Sequence, residues 1–595
     1  MSFIASTRLK KLKKLFIISR AIISHWGWRY FFYIVKLEYK KQKLAAFKPD
    51  QKPIPLFHRR SFQVDYEKYL DFIEDKFSKD SFDHKSCQTK ITFFLFYETS
   101  KLNDLQKTLK SFLDQSYMHW NLVLLPKDKT TLIDIKQIPQ NEKISLLSNC
   151  DNNTILNQIH ELKSDFIGFL DSYVVLPSYS LTEYVKFLND SSDSDIFYSD
   201  HDRIDKNDRR YDPFFKPDWS SVTFYSFDYV SPLYMIKKSL VEKTLKTETL
   251  DEPFLFDLLL HCFGITNKIN HIPFPLCSIL DTNSSSANES KKYILTKHFS
   301  QNKIAAKIES GLLPDTFRVH YNLKSQPKVS ILIPTKNNKP ILKRCIDSIE
   351  KNTNYKNFEI IIIDNPGNEI YYDSTLHEYY DKIPHKVITY NGNFNFSKMN
   401  NLAVKESTGD LLLFLNDDTK ILDKYWLDEM TSILLQNDVG AVGPKLVFGD
   451  DTIQHAGAVF LKTGSGFHPF VRLDDDAEGY QNFANIMKEC SAVTGACLLT
   501  KKEIFYQIDQ FDEDFDVYYG DADLCLKIRR AGYKIVYTPF TKLLHEGSFT
   551  LRGSGADYYA VEAHQRFLEK WPELKNGDPF YHTALGWDYS ISDVR

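Results

Sequence analysis

Lys328-Val329-Ser330-Ile331-Leu332-Ile333 is a run of β-branched and apolar residues that indicates a buried strand. A similar run stands upstream, Lys90-Ile91-Thr92-Phe93-Phe94-Leu95. Runs of this kind are typical of parallel strands that are buried on both faces. A helical stretch follows each run, and a second apolar run follows it, at residues 117–125 and 355–363. The pattern therefore predicts that strand, helix and strand recur in two copies of one fold.

Strands that alternate with helices indicate a parallel α/β sheet, so we predict two tandem α/β domains of Rossmann-like type with mostly parallel sheets. We call residues 86–325 the first repeat and residues 326–595 the second repeat, and residues 1–85 form a basic helical leader. Ligands of such sheets bind outside the carboxyl ends of the strands. We therefore expect the catalytic and ligand-binding residues at those ends.

The amino-acid composition, the net charge and the cysteine spacing exclude several classes of function. The chain has 595 residues, of which 43% are hydrophobic and 26% are charged, as in ordinary globular proteins. The net charge of −3 argues against nucleic-acid binding, which needs a basic excess to neutralise phosphates. None of the eight cysteines forms a C-x-x-C pair, so the sequence indicates neither a zinc site nor a disulfide framework, and we expect a cytoplasmic protein.

The N-terminal residues 1–43 leave two interpretations open. A basic segment precedes an aromatic, apolar stretch over residues 15–35, which Arg20, His25 and Arg29 interrupt. An arginine at the centre of a bilayer costs roughly 2.5–3.5 kcal/mol, which disfavours a spanning helix. The stretch suits a helix that lies on the inner face of an anionic membrane. It equally suits a helix that packs on the next domain.

Acidic side chains follow two of the apolar runs of the second repeat. Asp364 comes directly after the run 360–363, and Asn416-Asp417-Asp418 comes after the run 411–415. Carboxylates at the end of a buried strand face the ligand and hold Mg²⁺ or Mn²⁺, with Asp418 as the first expected ligand and Asp417 beside it. The alternative is an Asx-type turn that closes the strand.

A second acidic motif opens a predicted helix near residue 520. Leu524 and Ile528 recur at helical spacing, and Asp521 and Asp523 lie in the first turn. Asp521 suits a general base that deprotonates a hydroxyl group, although acidic residues also cap helices. His545, just past the next strand, is a candidate metal ligand, and its alternative role is structural.

Together these motifs resemble the inverting glycosyltransferases of family 2, which have the GT-A fold. The resemblance spans residues 328–553, and its motifs are Val329-Ser330-Ile331-Leu332-Ile333-Pro334-Thr335-Lys336-Asn337, Ile363-Asp364-Asn365, Gly409-Asp410 through Asn416-Asp417-Asp418, Val493-Thr494-Gly495-Ala496-Cys497 and Gly520-Asp521-Ala522-Asp523-Leu524-Cys525. Most similar are tandem enzymes of bacterial O-antigen, rhamnan and other cell-surface polysaccharide synthesis, which share the spacing from Pro539 to His545.

The resemblance implies a reaction. The second repeat would move a hexosyl or rhamnosyl group from a nucleotide-diphosphate sugar to a hydroxyl of a saccharide or lipid-linked saccharide, with Mg²⁺ or Mn²⁺ as cofactor. Asp521 is then the catalytic base, and Asp418 and His545 are the metal ligands. The residues that would bind the nucleotide or the donor sugar are Pro334, Thr335, Asn337, Asp364, Asn400, Asn416, Asp417, Gly495 and Ala496.

The first repeat lacks these groups when the two repeats are matched. The residues that replace Asp364, Asp418, Asp521 and His545 are, in that order, Pro126, Tyr173, Leu255 and Ile279. None of these side chains replaces a carboxylate as metal ligand or base. We therefore predict that the first repeat is degenerate and inactive, and a slip in the matching at Leu255 is the alternative.

Two other classes of function compete with a transferase. In a carbohydrate-binding or scaffold protein both repeats would have lost activity, which the retention of Asp364, Asp418, Asp521 and His545 disfavours. A nucleotidyltransferase would need a Gly- and Arg-rich triphosphate loop after the first strand, where this chain has residues 335–338, Thr-Lys-Asn-Asn.

Overall fold

The computed structural model describes most of the chain from residue 60 onward. The described residues are 60–79, 87–127, 138–149, 151–191, 193–247, 253–281, 288–336, 339–366, 378, 383–547, 556–586 and 591. The predicted membrane contact of residues 1–43 and the predicted nucleotide contact of Asn337 lie outside them. No described helix combines the length and the apolar character that a membrane-crossing segment requires.

The first repeat is built on one sheet of nine strands. Its order is β3-β2-β1-β4-β8-β6-β9-β5, and β7 pairs with β6. The strands are β1 Ile91–Tyr97, β2 Trp120–Pro126, β3 Ile144–Leu146, β4 Phe166–Asp171, β5 Val174–Val175, β6 Ile196–Ile204, β7 Arg210–Phe214, β8 Tyr234–Lys237 and β9 Ile269–Leu280. A hairpin of β10 Ala306–Ser310 and β11 Phe317–Tyr321 follows it.

The second repeat is built on a sheet of ten strands. Its order is β14-β13-β12-β15-β22-β17-β23-β16, with β18 paired to β17 and β21 paired to β23. The strands, including the separate pair β19–β20, are β12 Val329–Thr335, β13 Phe358–Asp364, β14 Lys386–Thr389, β15 Leu411–Leu415, β16 Thr419–Ile421, β17 Val439–Val447, β18 Ile453–His455, β19 Val459–Phe460, β20 Gly466–Phe467, β21 Lys488–Glu489, β22 Cys497–Lys501 and β23 Lys534–His545.

The two sheets have one topology, which confirms the predicted tandem α/β fold. Each begins with four parallel strands, β3-β2-β1-β4 and β14-β13-β12-β15. The next strand is antiparallel in both sheets, where β8 pairs with β4 and β22 pairs with β15. Each places a parallel pair farther along, β6–β9 and β17–β23. The first strand of each sheet is buried along its whole length, as the apolar runs predict.

Amphipathic helices cover the sheets. On Lys339–Lys351 the buried residues Leu342, Cys345, Ile346 and Ile349 follow the three-to-four spacing of one helix face. The described helices are α1 Arg60–Lys79, α2 Leu102–Leu113, α3 Asn152–Glu161, α4 Ser180–Asp190, α5 Ser221–Ser226, α6 Lys238–Thr247, α7 Phe254–Phe263, α8 Asn288–Gln301, α9 Lys339–Lys351, α10 Phe396–Lys405, α11 Trp426–Leu434, α12 Lys502–Gln507, α13 Gly520–Arg530 and α14 Ala556–Lys570.

Helix α1 is the described part of the predicted leader. It packs on the first repeat, where the Tyr69 ring meets Phe215 edge-on with 5.3 Å between centroids. The hydroxyl of Tyr66 donates a hydrogen bond to the buried carboxylate of Asp202, which also pairs with Arg210. The leader helix is thereby tied to the first repeat by both apolar and polar contacts.

Candidate active site

Strand pairing brings distant parts of the second repeat to one edge of the sheet. Thr335, at the end of β12, lies opposite Asp364 at the end of β13. The loop after β15 is joined to the segment before β22, because the Asn416 N–H donates to the Ala496 carbonyl at 3.1 Å. Thr419 on β16 lies opposite His545 on β23, which places His545 next to Asp418.

These elements line one crevice, which we call the donor crevice. Nine of the residues singled out in the sequence line it: Pro334, Thr335, Asn416, Asp417, Asp418, Gly495, Ala496, Asp521 and His545. The other lining residues are Lys336, Phe394, Phe396, Thr494 and Val517. The three residues expected to do chemistry, Asp418, Asp521 and His545, thus share a single crevice.

The orientation of the His545 ring is fixed by Gln454 on β18. The Gln454 amide nitrogen donates to the His545 carbonyl at 3.1 Å, and this bond fixes which end of the amide carries oxygen. That oxygen lies against His545 Nδ1 and must accept its proton. His545 Nε2 is therefore the ring nitrogen that remains for a further partner, and it lies 3.0 Å from Asp418 Oδ1. A carboxylate oxygen and an imidazole nitrogen, with the other ring nitrogen hydrogen-bonded to a supporting group, form a pair that can ligate a divalent cation.

The donor set fits Mg²⁺ or Mn²⁺ in part. It consists of the Asp418 carboxylate and His545 Nε2, with the Asn416 amide 3.4 Å from Nε2. Among the described residues no three His, Cys, Asp or Glu side chains gather into a complete metal site. Mg²⁺ sites commonly have one or two carboxylates, with waters and substrate phosphates as the other ligands.

Asp417 takes a different position from Asp418. Its Oδ2 accepts a hydrogen bond of 2.6 Å from the Thr335 hydroxyl. Burial and the neighbouring Asp418 raise the pKa of Asp417 to about 6, although the Thr335 hydroxyl opposes this shift. The hydrogen bond to Asp417 therefore joins the acidic loop after β15 to the end of β12.

Asp521 is held by backbone groups at the start of α13. Its Oδ2 accepts a 2.7 Å hydrogen bond from the Gly495 N–H, and its Oδ1 accepts one of 2.8 Å from the Ala522 N–H. Asp523, two residues on, points elsewhere: it is fully buried and accepts from the Trp571 indole at 2.9 Å. Of the two aspartates in this motif, Asp521 alone faces the crevice.

Two predicted donor residues are not brought to the crevice lining. Asn400 lies on the buried face of α10, and its amide donates to the Phe396 carbonyl one turn earlier. Asp364 is 3% exposed at the end of β13, one strand beyond Thr335. The structure thus places Asn400 inside the helix packing and Asp364 beneath the crevice edge.

Several crevice residues were not singled out in the sequence as site residues. Lys336 directly follows β12 and brings a cation to the crevice, and its position next to Thr335 is the signal that points to it. Phe394 and Phe396 form an apolar part of the lining. Gln454 lies between residues 449 and 489, where the sequence shows no motif.

A second crevice adjoins the first and shares Asp521 and Thr494 with it. We call it the aromatic crevice, and its aromatic lining residues are Phe460, Phe467, His468, Tyr518 and Tyr519. The Nδ1 atoms of His468 and the buried His455 are 2.7 Å apart, so one of these nitrogens carries the shared proton. Asp521 therefore stands at the junction of two crevices of different character.

The strand registers show what the first repeat has at the matching places. Tyr97 lies opposite Pro126 as Thr335 lies opposite Asp364, and Val174 lies opposite Ile279 as Thr419 lies opposite His545. Leu255 is the second residue of α7, as Asp521 is of α13. Next to Pro126, the Lys127 ammonium pairs with Asp171 at 2.6 Å.

The strand order, with its acidic loop after β15 at the ligand edge, defines the second repeat as a GT-A type α/β domain. Residues 330–507 match the family model described as glycosyl transferase family 2, and the second repeat belongs to that family.

Relatives of known sequence cover most of this chain. The O-antigen biosynthesis protein RfbC of Myxococcus xanthus is 31% identical over 505 residues, which are 81% of this chain and 39% of that protein. An uncharacterised Sinorhizobium fredii protein, y4gI, is 31% identical over 533 residues, 82% of this chain and 57% of that protein. The chain thus spans about two fifths of the length of the Myxococcus protein and somewhat more than half of the length of the Sinorhizobium protein.

Shorter or weaker likenesses also exist. An N-acetylglucosaminyl-diphospho-decaprenol L-rhamnosyltransferase of Mycobacterium tuberculosis is 32% identical over 76 residues, 13% of this chain and 25% of that protein. The structure of GalNAc-T7 with UDP, GalNAc and Mn²⁺ aligns with a TM-score of 0.35 at 16% identity, over 44% of this chain and 51% of that one. The mannosyltransferase PcManGT from Pyrobaculum calidifontis, with GDP-Man and Mn²⁺, aligns with a TM-score of 0.30 at 16% identity, over 49% and 76%.

Proposed function

We propose that the second repeat is an inverting glycosyltransferase. It moves a hexosyl or rhamnosyl group from a nucleotide-diphosphate sugar to a hydroxyl group of a saccharide or lipid-linked saccharide, in the synthesis of a cell-surface polysaccharide. The observation that carries the proposal is the position of Asp521 at the junction of the donor crevice, which holds Asp418 and His545, and the aromatic crevice. The name of the Myxococcus relative supports the biological setting.

Asp418 and His545 would hold the divalent cation in the donor crevice. The cation, Mg²⁺ or Mn²⁺, supplies positive charge that neutralises the diphosphate as it leaves. Lys336 adds a positive side chain at the same crevice, and Thr335 fixes Asp417 beside it.

Asp521 acts as the general base. The Gly495 and Ala522 N–H groups hold its carboxylate in one orientation, which limits the motion of the base before reaction. Asp521 accepts the proton of the acceptor hydroxyl, whose oxygen bonds to the anomeric carbon while the bond from that carbon to the diphosphate oxygen breaks. Attack opposite the leaving group inverts the anomeric centre.

The acceptor enters through the aromatic crevice. Aromatic rings pack well against the apolar faces of sugar rings, and tyrosine hydroxyls and imidazole nitrogens bond to sugar hydroxyls. The rings of Phe467 and Tyr518 and the polar edge of His468 supply both kinds of contact. A saccharide is therefore the acceptor that this lining favours. Where that saccharide is lipid-linked, residues 1–43 would contact the inner face of the membrane.

The first repeat does not turn over a donor in this proposal. Pro126, Tyr173, Leu255 and Ile279 stand where the second repeat has its acidic residues and histidine. The ammonium of Lys127, paired with Asp171, lies beside this position. Only the second repeat then carries the cation ligands and the base.

Hydrolysis of the donor tests the proposal without knowledge of the acceptor. The purified chain is incubated with a panel of nucleotide-diphosphate sugars and Mn²⁺, and the released nucleotide is measured. We expect release from one donor, a loss of about 10²–10⁴-fold in Asp521→Asn, and no loss in the exposed control Asp514→Asn. A protein that binds a donor but never releases nucleotide would instead support a carbohydrate-binding role.

A further inference from the structure

The C-terminal segment, residues 578–585, contacts both repeats. On the side of the first repeat, the Asp218 N–H donates to the Pro579 carbonyl at 2.7 Å, and the His582 ring stacks on Phe215 with 4.7 Å between centroids. His582 Nε2 lies 2.9 Å from Oδ2 of Asp200. Residues of the last part of the chain thus pack directly on the first repeat.

Asp200 is the polar centre of this contact. It is fully buried, and its other oxygen lies 2.8 Å from His271 Nε2 and accepts from the Lys216 N–H at 2.8 Å. Burial would raise the pKa of Asp200, but His582 and His271 outweigh burial and lower it. Asp200 in turn raises the pKa of His271 against the effect of burial. A buried carboxylate is retained at such a position only when it is well paired.

The tautomer of His582 is fixed by the segment itself. The Ala584 N–H donates to His582 Nδ1 at 3.0 Å, so that nitrogen carries a lone pair. The ring proton is therefore on Nε2, the atom that faces Asp200. The segment is folded so that the Nε2 edge of the His582 ring lies against Asp200 of the first repeat.

The other side of the C-terminal segment supports the wall of the aromatic crevice. Asp578, which is buried, accepts a hydrogen bond of 2.8 Å from the Phe460 N–H. The Tyr581 ring, adjacent to His582, meets the Phe467 ring edge-on at 5.0 Å. Phe460 and Phe467 belong to the paired strands β19 and β20, and both line the aromatic crevice.

We propose that the first repeat holds the β19–β20 wall of the aromatic crevice in place through the contact of Asp200 with His582, and that Asp200 is a positioning residue for acceptor binding. The proposal rests on the function proposed for the aromatic crevice. It gives the degenerate repeat a task that needs none of the lost catalytic groups. It also predicts an effect on the aromatic crevice alone, since the segment that contacts Asp200 through His582 contacts Phe460 and Phe467 through Asp578 and Tyr581.

Hydrogen–deuterium exchange of the full chain tests this without any substrate. We expect Asp200→Asn and His582→Leu to raise exchange of residues 458–468 at least fivefold, with exchange of residues 411–421 unchanged. His582→Gln keeps an N–H donor toward Asp200 and should stay near the native rate. The matched control is Asp257→Asn, which alters another buried carboxylate–histidine pair of the first repeat, 3.3 Å from His261, away from the C-terminal segment.

Transfer to a panel of methyl glycosides gives the functional readout. In Asp200→Asn the KM for the glycoside should rise at least fivefold, with the KM for the donor changed less than twofold. Unchanged exchange at 458–468 in both Asp200→Asn and His582→Leu would overturn the proposal, as would an equal rise in Asp257→Asn. A native chain that transfers to no glycoside and hydrolyses no donor would instead count against the proposed function, while the exchange data still decide the role of Asp200.

Discussion

His545 Nε2 lies 3.0 Å from Asp418 Oδ1, and the hydrogen bond between Nδ1 and the Gln454 side-chain oxygen holds the ring in this orientation. The two residues are 127 positions apart, and the pairing of Thr419 with His545 across β16 and β23 brings them together. This pair is the part of the site whose geometry favours a cation most directly.

Replacement of Gln454 should weaken cation binding without removing a ligand. In Gln454→Leu the His545 ring is free to place its proton on Nε2, facing Asp418. Loss of such a supporting group typically costs about 10–100-fold in metal affinity. Titration with Mn²⁺, followed by its electron paramagnetic resonance signal, measures the change. Gln436→Leu, which loses only a bond to the Ser432 carbonyl, serves as the control and should bind Mn²⁺ normally.

Gly495 should not tolerate a side chain. A Cβ at this position would lie 3.2 Å from Phe396 Cζ and 3.3 Å from Asp521 Cβ, tighter than most Cβ contacts. Gly495→Ala therefore displaces the base that the Gly495 N–H holds, and we expect kcat for donor hydrolysis to fall by roughly tenfold, since small misplacements at a reacting centre cost this much or more. An unchanged kcat would show that the Gly495 contact does not position Asp521.

The two repeats should respond differently to loss of a carboxylate at the end of the matching strand. Asp418→Asn removes a proposed cation ligand and should reduce hydrolysis at least about 100-fold. Asp171→Asn, in the first repeat, alters the partner of Lys127 and Tyr173 and should leave the rate within twofold. Initial rates at saturating Mn²⁺ compare them. A large loss in Asp171→Asn would contradict the inactivity of the first repeat.

Glu359 should stabilise the second repeat in a pH-dependent way. Burial alone would raise its pKa, but hydrogen bonds from the Ser330 hydroxyl, the Thr408 N–H and Lys328 lower it to about 2, from an ordinary value of 4.5. The lowered pKa means that this stabilisation is complete above pH 4.5 and is lost as the pH falls toward 2. We expect Glu359→Gln to lower the free energy of unfolding by roughly 1–3 kcal/mol at pH 7.

Urea unfolding of the native chain and Glu359→Gln at a series of pH values provides the measurement. The difference between them should shrink steadily below pH 4.5. A difference that stays constant down to pH 3 would mean that the Glu359 carboxylate is not the source of the stabilisation.

The buried strands and the acidic site residues can be predicted from the sequence because each has a local sequence pattern. The run 329–333 and its counterpart at 91–95 identify buried strands because burial on both faces excludes polar residues. Asp418 and Asp521 are identified because each follows a recognisable strand or opens a helix.

The roles of residues that act through tertiary contacts cannot be predicted from local sequence patterns. Gln454 gains its role only when β18 pairs with β17 beside the end of β23. Asn400 lies in a family segment that borders the donor, but the face of α10 on which it falls is turned into the core. The contact of Asp200 with His582 joins residues 382 positions apart, and no periodicity in the chain signals it.

Crystals soaked with Mn²⁺ and a nucleoside diphosphate, with anomalous diffraction recorded at the manganese edge, show whether Asp418 and His545 bind a cation beside Asp521. We expect one strong peak between Asp418 and His545, about 2.0–2.2 Å from a carboxylate oxygen and from Nε2, with the diphosphate in the donor crevice beside Asp521. A manganese peak away from Asp418 and His545, or a diphosphate bound in another crevice, would contradict it.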